Sequence, residues 1–396
     1  MHDEYLLMIS LDAFSGEDLE MLEDLPNFKA LRREGTLFRE VSSVFISNTY
    51  PNHTSIITGT HPFRHGITNN TYFLPERYPE KWRYDSREIQ VPTLYQKAKE
   101  AGKRVCSILY PVTGKADIDY NFPEIAESMN AIRRLWTTLK NGSPGYMLSI
   151  LFRLPFFLTR IKRISLDDLT THIAADTIKR LRPNLLMLHL VETDTRKHQC
   201  GPLSDPAKKS VEEQDKRLGV LIRALKDAGI YERTGIILFG DHGCLPVHTQ
   251  IEPNLFLQER GLLRRKDKRA AEYDAYFYTA GGTAFLQIFN GEKKTKIERA
   301  LRELEKEPYF GRFLDSEEMR ISGMDRQFQF GIEAKVGYCF GNNDHRGQHG
   351  YSLRHEGYNP FYFAKGHTVP KNQTVTGGSV VDICPLAAEI LGIPSW

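Results

Sequence analysis

Aspartate and histidine residues lie shortly after three short apolar runs of the sequence. They are Asp12 after residues 5–11, Asp194 and His198 after residues 185–191, and Asp241 and His242 after residues 235–239. Carboxylate oxygens and imidazole nitrogens are ligands that suit zinc. One such group alone is more often a surface or helix-capping feature, but three groups in equivalent positions favour a metal site.

The spacing within two of these groups supports a metal site. Asp194 and His198 are four residues apart, so one turn of a helix would place both side chains on the same side. Asp241 and His242 are adjacent, and in a loop they can be directed at one ion or at two neighbouring ions. The sequence therefore predicts that these side chains surround a metal centre.

A candidate nucleophile lies in the segment 47–59, SNTYPNHTSIITG, which predicts a turn and a short helix with Pro51 near its first position. Thr49 would stand at the helix start, where free N–H groups and the helix dipole favour a bound phosphate. The alternative is that Thr49 only caps the helix. Beside metal ligands, its hydroxyl oxygen becomes a candidate for attack on phosphorus.

Strands joined by helices would have to position these residues. Further short apolar runs occur at 104–109 and 361–364, and each is followed by a polar or glycine-containing turn. Such runs are typical of buried parallel strands. The segment 207–228 predicts an amphipathic helix, and we expect Asp215 on its apolar face to bond to a backbone group or a helix end.

The alternation of strands and helices predicts an α/β fold with a doubly wound, three-layer α/β/α core. Ligands of such folds collect at the carboxyl ends of the parallel strands. We interpret residues 1–396 as a single catalytic domain. The stretches 115–170 and 265–345 break the alternation, and we expect both to be insertions that cap the core and line the pocket.

The overall charge and the cysteines indicate the class of partner and the compartment. The chain has 53 Lys+Arg and 50 Asp+Glu, a formal net charge of +3, so we expect a small-molecule partner and no nucleic-acid polymer. The five cysteines are odd in number and widely spaced, which is typical of reduced thiols. Together with an N-terminus that does not resemble an export signal, they predict a cytoplasmic protein.

One apolar segment raises the question of membrane contact. The run at 146–158 contains Arg153 and Pro155 and is too short to span a bilayer, so no transmembrane segment is predicted. The surrounding residues 145–160 are nevertheless a candidate for peripheral contact with a membrane surface or a lipid tail.

The ordered motifs resemble those of the nucleotide pyrophosphatase/phosphodiesterase family, or type I phosphodiesterases, within the alkaline phosphatase superfamily. The matching motifs are ISLDAF (9–14), SNTYPNH (47–53), TGTHPFRHGITNN (58–70), VETDTRKHQCGP (191–202), FGDHG (239–243), RGQHGYS (346–352) and VVDICPLAAEILGI (380–393). The resemblance implies an alkaline phosphatase-like core with a mostly parallel sheet and inserted cap segments. It runs from near residue 5 to the C-terminus, whereas 115–170 and 265–340 match poorly.

The resemblance also implies two Zn²⁺ ions per chain. One ion would be held by Asp12, Thr49, Asp241 and His242, and the other by Asp194, His198 and His349. His349 is preferred to His345 and His355 because it occupies the Gly-x-His-Gly position of its motif. Thr49 would be the nucleophile, and Asn52 would contact the phosphoryl group.

Two positions near the nucleophile depart from the family pattern. Asn48 replaces the lysine that often precedes the nucleophile, and Asn69 replaces an aspartate. Neither is an implied metal ligand, so the departures concern the choice of substrate. The candidate substrate-binding residues are Tyr50, Asn70, Tyr72 and Phe73, of which the aromatic ones would either stack on a nucleobase or pack in the core.

The implied activity is hydrolysis of phosphodiester or pyrophosphate bonds through a phosphothreonine intermediate. A phosphonate or phosphomonoester hydrolase is the first alternative, and Arg64 and Arg196 are the nearest candidates to meet the extra phosphate charge. The second alternative is a zinc-stabilised binding protein without catalysis. A sulfatase is disfavoured, because the run from Thr49 to His53 lacks the required Cys or Ser and the arginine.

Overall fold

The computed structural model describes residues 3–158, 165–266, 269–394 and 396. Its strands are β1 (Tyr5–Leu11), β2 (Thr36–Arg39), β3 (Val105–Ile108), β4 (Tyr120–Phe122), β5 (Leu185–Leu190), β6 (Thr234–Gly240), β7 (Leu245–Ile251), β8 (Leu263–Lys266), β9 (Arg269–Tyr273), β10 (Ala275–Ala280), β11 (Thr283–Ile288), β12 (Phe310–Phe313), β13 (Phe330–Ala334), β14 (Gly337–Phe340), β15 (Gly347–Gln348), β16 (Tyr362–Lys365) and β17 (Gln373–Thr376).

The α-helices alternate with these strands. They are α1 (Gly16–Asp24), α2 (Pro26–Arg32), α3 (Thr49–Thr58), α4 (Pro62–His65), α5 (Leu94–Glu100), α6 (Ala131–Asn141), α7 (Pro144–Leu158), α8 (Leu166–Arg180), α9 (Glu192–Cys200), α10 (Asp205–Asp227), α11 (Pro253–Glu259), α12 (Lys294–Leu304), α13 (Ser316–Ile321) and α14 (Ile383–Leu391). Short 3₁₀ turns complete the regular structure.

An eight-stranded sheet forms the centre of the fold, in the order β17-β2-β16-β6-β1-β5-β3-β4. Its pairs are parallel except at β16, which is antiparallel to both β2 and β6. The strand predicted at 361–364 is therefore present, but its predicted parallel direction is wrong. A central strand is apolar on both faces in either direction, so its apolar run carries no information about orientation.

Helices cover both faces of this sheet. Leu7 and Ile9 of β1 join one apolar cluster with α1, α2, α8 and α10, whereas Leu6 and Met8 join another with α3, α5 and α14. Successive residues of a strand point to opposite faces, so β1 contributes to both clusters. The core is thus a three-layer α/β/α arrangement around a mostly parallel sheet, as the sequence predicts.

A second, antiparallel sheet lies in the C-terminal half of the chain. Its four strands have the order β10-β11-β13-β12, and they share an apolar cluster with α11 and α12. These strands fall within 265–345, and α6 and α7 fall within 115–170. The capping role and the single-domain division stay predictions, and residues 159–164 and 267–268 of these stretches lie outside the described residues.

The state of the cysteines and the length of the apolar helices bear on the predictions of reduced thiols and of no transmembrane segment. All five cysteines are free thiols, of which Cys200 is exposed and the others are buried. Within the described ranges, no helix has both the length and the hydropathy needed to cross a bilayer. The cytoplasmic location stays a prediction.

Asp215 ties helix α10 to the start of α2. Its Oδ1 accepts a hydrogen bond from the Phe28 N–H at 2.7 Å, and its Oδ2 accepts bonds from the Asn27 N–H at 3.2 Å and the Asn27 side-chain amide at 2.8 Å. The first turn of a helix leaves such N–H groups without internal partners. This confirms the prediction that Asp215 bonds to a helix end.

We expect Asp215→Ala to lower the free energy of unfolding by about 2–3 kcal/mol, because it leaves buried N–H groups without an acceptor. Urea denaturation followed by circular dichroism measures the change. Glu212→Ala, at an exposed position of the same helix, is the matched control and should stay within about 0.5 kcal/mol of the parent. Equal shifts in the two variants would contradict the anchoring role of Asp215.

Candidate active site

The carboxyl ends of neighbouring strands deliver acidic side chains to one edge of the central sheet. Leu11, the last residue of β1, is level with Leu190 in β5 and with Gly240 in β6. Asp12 and Asp241 directly follow two of these strand ends. Adjacent parallel strands that end at the same level bring together side chains that are far apart in the sequence.

The third strand end leads into α9, whose position is set by a carboxylate from α8. Asp167 accepts hydrogen bonds from the N–H groups of Val191 and Glu192, both at 2.9 Å. These bonds satisfy the N-terminus of α9. Asp194 and His198 lie on one face of α9, with His198 Nε2 3.2 Å from Asp194 Oδ1, as their four-residue spacing predicts.

Thr49 is the first residue of α3, and its hydroxyl lies in the same site. Asn48 is the N-cap residue, so Thr49 does not serve as the helix cap. Thr49 Oγ1 is 3.2 Å from His242 Nε2, and its own N–H makes no hydrogen bond with the described residues. Both the hydroxyl and the N–H are therefore available to a phosphate group.

Three histidines present the same nitrogen atom to the site. Their Nδ1 atoms bond to oxygens: His198 to Gly347 O at 2.8 Å, His242 to Gly243 O at 3.1 Å, and His349 to Asn48 Oδ1 at 2.7 Å. An oxygen acceptor requires the proton on Nδ1, which leaves a lone pair on Nε2. This is the tautomer that a histidine needs in order to ligate a metal ion through Nε2.

Three carboxylates concentrate negative charge between these histidines. Asp12 Oδ1, Asp194 Oδ1 and Asp241 Oδ2 are buried and make no hydrogen bond with the described residues. Burial, followed by the charges of Asp241 and Asp194, raises the pKa of Asp12 well above its ordinary value. Buried oxygens of like charge are costly unless a cation lies between them.

Two overlapping sets of ligand atoms are close enough together to hold metal ions. Within each set the atoms lie within 4.8 Å of one another, and the sets are Asp194, His198 and His349, and Asp12, Asp194 and His242. Asp241 adjoins the second set, with Oδ2 3.3 Å from His242 Nε2. The donor types, the directed lone pairs and the unpartnered oxygens fit divalent cations such as zinc.

All seven ligand positions that the resemblance implies therefore lie together, and we call them the ligand cluster. They are Asp12, Thr49, Asp194, His198, Asp241, His242 and His349. Asp194 belongs to both sets of close ligand atoms, whereas the resemblance assigns it to one ion.

The two positions that depart from the family pattern contact each other. Asn48 Nδ2 donates a hydrogen bond to Asn69 Oδ1 at 2.7 Å. Asn48 Oδ1 accepts the bond from His349 Nδ1. Asn48 therefore fixes the imidazole ring of His349, a role that the sequence did not reveal.

Asn52 holds together the segment that leads into α3. Its Oδ1 accepts the Val44 N–H at 2.9 Å, and its Nδ2 donates to Asn48 O at 3.0 Å. The prediction that Asn52 contacts the phosphoryl group is not supported, because its buried amide is already used at both ends. Asn70 is better placed: its Oδ1 accepts the Tyr50 N–H at 2.8 Å, and its amide N–H groups have no partner among the described residues.

The aromatic candidates for substrate binding have different surroundings. Tyr50 is fully buried, and its ring lies 5.2 Å from that of Trp82, so the predicted stacking on a nucleobase is not supported. Tyr72 is half-buried, with the Lys81 ammonium 4.5 Å above its ring. Phe73 is half-buried against aromatic side chains of β10. Substrate contacts by Tyr72 and Phe73 stay predictions.

Two buried histidines around the site were not identified from the sequence. His53 Nδ1 lies 2.8 Å from Thr49 O and 3.4 Å from Asp241 Oδ2. His189 Nε2 lies 3.2 Å from Asp12 Oδ2. Burial lowers the pKa of both histidines to about 3, so both are neutral near pH 7. The signal for His189 was a single imidazole inside an otherwise apolar strand.

Glu124 reaches the site from the stretch 115–170. It lies beside the hydroxyl of Tyr50, and its Oε2 is buried without a hydrogen-bond partner among the described residues. Burial raises the pKa of Glu124 to about 8. No motif marks this stretch, so the sequence offered no signal for Glu124.

The two histidines that competed with His349 occupy different places. The ring of His345 lies 4.3 Å from that of His198, which is nearer to the site than a surface loop residue would be. His355 Nε2 lies 3.2 Å from Glu333 Oε1. Of His345, His349 and His355, only His349 belongs to one of the close ligand sets found in the described part of the chain.

The sequence profile of one family matches most of the chain. The family is described as type I phosphodiesterase / nucleotide pyrophosphatase, and the match covers residues 6–358. That range includes every member of the ligand cluster. The chain therefore belongs to the type I phosphodiesterase / nucleotide pyrophosphatase family.

Similar proteins differ widely in length. The chain is 24% identical over 400 residues to bis(5'-adenosyl)-triphosphatase ENPP4 of Bos taurus, which covers 98% of this chain and 78% of that protein. It is 22% identical over 404 residues to a venom phosphodiesterase of Naja atra, covering 98% and 44%. Ectonucleotide pyrophosphatase/phosphodiesterase family member 1 of Homo sapiens is 28% identical over 251 residues, covering 60% and 23%. The chain thus spans less than half the length of the last two relatives.

Solved structures share the fold over the whole chain. An inactive form of murine ectonucleotide pyrophosphatase/phosphodiesterase 5 in complex with AMP matches with a TM-score of 0.72 at 21% identity, covering 100% of this chain and 96% of that one. The human counterpart matches with a TM-score of 0.70 at 21% identity, covering 99% and 96%. These matches establish an alkaline phosphatase-like fold.

Proposed function

We propose that this chain is a zinc-dependent hydrolase that cleaves phosphodiester or pyrophosphate bonds through a phosphothreonine intermediate. The observation that carries the proposal is the position of Thr49 Oγ1, 3.2 Å from His242 Nε2 within the ligand cluster. Family membership supports chemistry on phosphoric esters. A related structure with bound AMP supports a small phosphate ester as substrate.

The groups of the chain have separate tasks in this reaction. Thr49 Oγ1 attacks phosphorus, the ester oxygen leaves on the opposite side, and water then releases the phosphoryl group from Thr49. The Thr49 N–H and the Asn70 amide donate hydrogen bonds to a non-bridging oxygen. Two zinc ions, held by the ligand cluster, would lower the pKa of the attacking hydroxyl and of water and offset the phosphate charge.

We expect Asn70→Ala to lower kcat for bis-p-nitrophenyl phosphate by about a hundredfold, because it removes a donor to the charge that develops in the transition state. The melting temperature should also fall, because Asn70 Oδ1 accepts the Tyr50 N–H, so kcat is compared per folded molecule. Asn52→Ala is the contrasting variant, since it breaks two bonds inside a buried segment and should lower the melting temperature. If kcat per folded molecule fell more in Asn52→Ala than in Asn70→Ala, Asn52 and not Asn70 would be the residue that contacts the phosphoryl group.

The positions of two arginines favour diester over monoester cleavage. Arg64 is exposed and lines a groove with Thr58, at the C-terminal end of α3. A helix of this length places that end about 14 Å from Thr49. Arg196 is paired with Glu192 at 3.4 Å. Arg64 is thus remote from the nucleophile and Arg196 is already paired with a carboxylate, which favours neither as the second positive charge that a phosphomonoester needs.

A comparison of four substrates in the presence of zinc tests the proposed function. The substrates are bis-p-nitrophenyl phosphate, p-nitrophenyl phosphate, a nucleoside phosphodiester and a lysophospholipid. We expect kcat/KM for the diesters to exceed that for p-nitrophenyl phosphate. A monoester preferred by orders of magnitude would overturn the diesterase proposal, and zinc binding without turnover of any substrate would support the non-catalytic alternative.

A further inference from the structure

Helix α7 is apolar on the face that packs against the core and also on the face that points outward. Tyr146, Met147 and Ile150 are buried in the core. On the outer face Phe152 is 85% exposed, and Leu148 is also exposed. A surface helix of a globular protein normally carries polar residues on its outer face. The outer face of α7 instead exposes apolar side chains, which is typical of a binding surface.

Helix α6 adds a second exposed apolar row next to α7. Ile132 is 72% exposed and Trp136 is 69% exposed. Trp136 and Leu148 line the same groove, of about 810 Å³, so the outer residues of the two helices form one continuous surface. We call the pair α6 and α7 the helical hairpin. Sequence patterns drew attention only to 145–160 and missed α6, and residues 159–160 lie outside the described residues.

Positive charge adjoins this apolar surface. Residues 128–158 contain four Lys and Arg and no Asp or Glu, and of these Arg153 is paired with Asp176, whereas the whole chain is nearly balanced at +3. Arg133 and Lys140 line this groove, together with Tyr84 and Lys115 from outside the hairpin. Neither Arg133 nor Lys140 forms an ion pair with any residue that the structure describes. A partner that is both apolar and anionic would complement this surface.

We propose that the helical hairpin docks on an anionic phospholipid bilayer, with Trp136 and Phe152 among the acyl chains and Arg133 and Lys140 at the headgroup phosphates. Interfacial helices combine Trp, Phe and Leu on one side with Lys and Arg beside them in this way. A second copy of the chain is a poor occupant, because it would bring two basic surfaces together. The docking surface does not depend on the proposed hydrolase activity.

Co-sedimentation with lipid vesicles tests the proposal. We expect the full chain to bind phosphatidylcholine/phosphatidylserine vesicles at least about tenfold more strongly than pure phosphatidylcholine vesicles, and the difference to shrink at high salt. The double variant Trp136→Ser, Phe152→Ser should weaken binding at least about tenfold. The double variant Arg133→Glu, Lys140→Glu should abolish the preference for anionic lipid.

The matched control places equivalent changes elsewhere on the surface. Leu203 is exposed, as are Lys208 and Lys209 at the start of α10, so Leu203→Ser, Lys208→Glu, Lys209→Glu should bind vesicles like the parent. Melting temperature and turnover of soluble bis-p-nitrophenyl phosphate should be unchanged in all variants, which separates docking from catalysis. Each hairpin variant tests the proposal on its own, so a folding failure in one leaves the other decisive.

Three results would overturn the proposal. The first is a parent protein that does not sediment with anionic vesicles at low salt. The second is hairpin variants that bind as strongly as the control. The third is a parent that dimerises without lipid and becomes monomeric in the Trp136→Ser, Phe152→Ser variant, which would assign the surface to self-association.

Discussion

Thr49→Ala is expected to lower the turnover of bis-p-nitrophenyl phosphate at least about a thousandfold, because the variant lacks the oxygen that would receive the phosphoryl group. Folding should be preserved, since Asn48 and not Thr49 is the N-cap residue of α3. Initial rates at equal zinc loading, with zinc content determined by mass spectrometry, measure the effect on chemistry alone.

Thr49→Ser is the matched control for this experiment. It keeps the hydroxyl and removes one methyl group, so we expect a rate within about tenfold of the parent. Parent protein quenched in acid during turnover should carry a phosphate on the peptide that contains Thr49, and the alanine variant should not. Equal turnover by parent and Thr49→Ala at full zinc content would exclude Thr49 as the nucleophile.

Local sequence was sufficient for the elements whose pattern is set by burial alone. The runs at 185–191 and 235–239 lie within one residue of β5 and β6, because a central strand buried on both faces is apolar throughout. The apolar stripe at 207–228 located α10 in the same way. These strands carry the acidic ligands at their ends, so the sequence also predicted where those ligands meet.

Features that depend on distant partners were not predictable in this way. β7 has the mixed sequence LPVHTQI and only Val247 is buried, so no apolar run marks it. The direction of β16 follows from its pairing with β2 and β6 and not from its own residues. Strand pairing joins segments far apart in the chain, and the local pattern of a segment does not show which partner it meets.

The same limit applies inside the candidate site. The motifs supplied the ligand cluster, but they did not show that Asn48 bonds to Asn69 and to His349. Nor did they show that Tyr50 is covered by Trp82 from another loop. Both contacts depend on how loops fold onto the helix α3. The sequence thus predicted the ligand cluster better than the residues that surround the substrate.

Removal of the metal ions is expected both to abolish hydrolysis and to destabilise the fold. Asp12, Asp194 and Asp241 each have one buried oxygen without a hydrogen-bond partner among the described residues, so their charges lose compensation when the cation leaves. A ligand at a thousand times its dissociation constant stabilises a protein by about 4 kcal/mol. We expect a chelator to lower both kcat and the melting temperature, and added zinc to restore both.

Asp241→Asn tests the role of charge with the local hydrogen bonds kept. The Oδ1 atom accepts the N–H groups of Ala13 and His242, both at 3.0 Å, and the substitution replaces only the unpartnered Oδ2. We expect reduced zinc content and turnover at least about a hundredfold lower. The metal-free form should become more stable than the metal-free parent, because one of three like charges is gone.

Asp3→Asn, at the opposite end of β1 and bonded to His367, is the control and should keep two zinc ions per chain. Unchanged zinc content and turnover in Asp241→Asn would show that this carboxylate does not hold the metal.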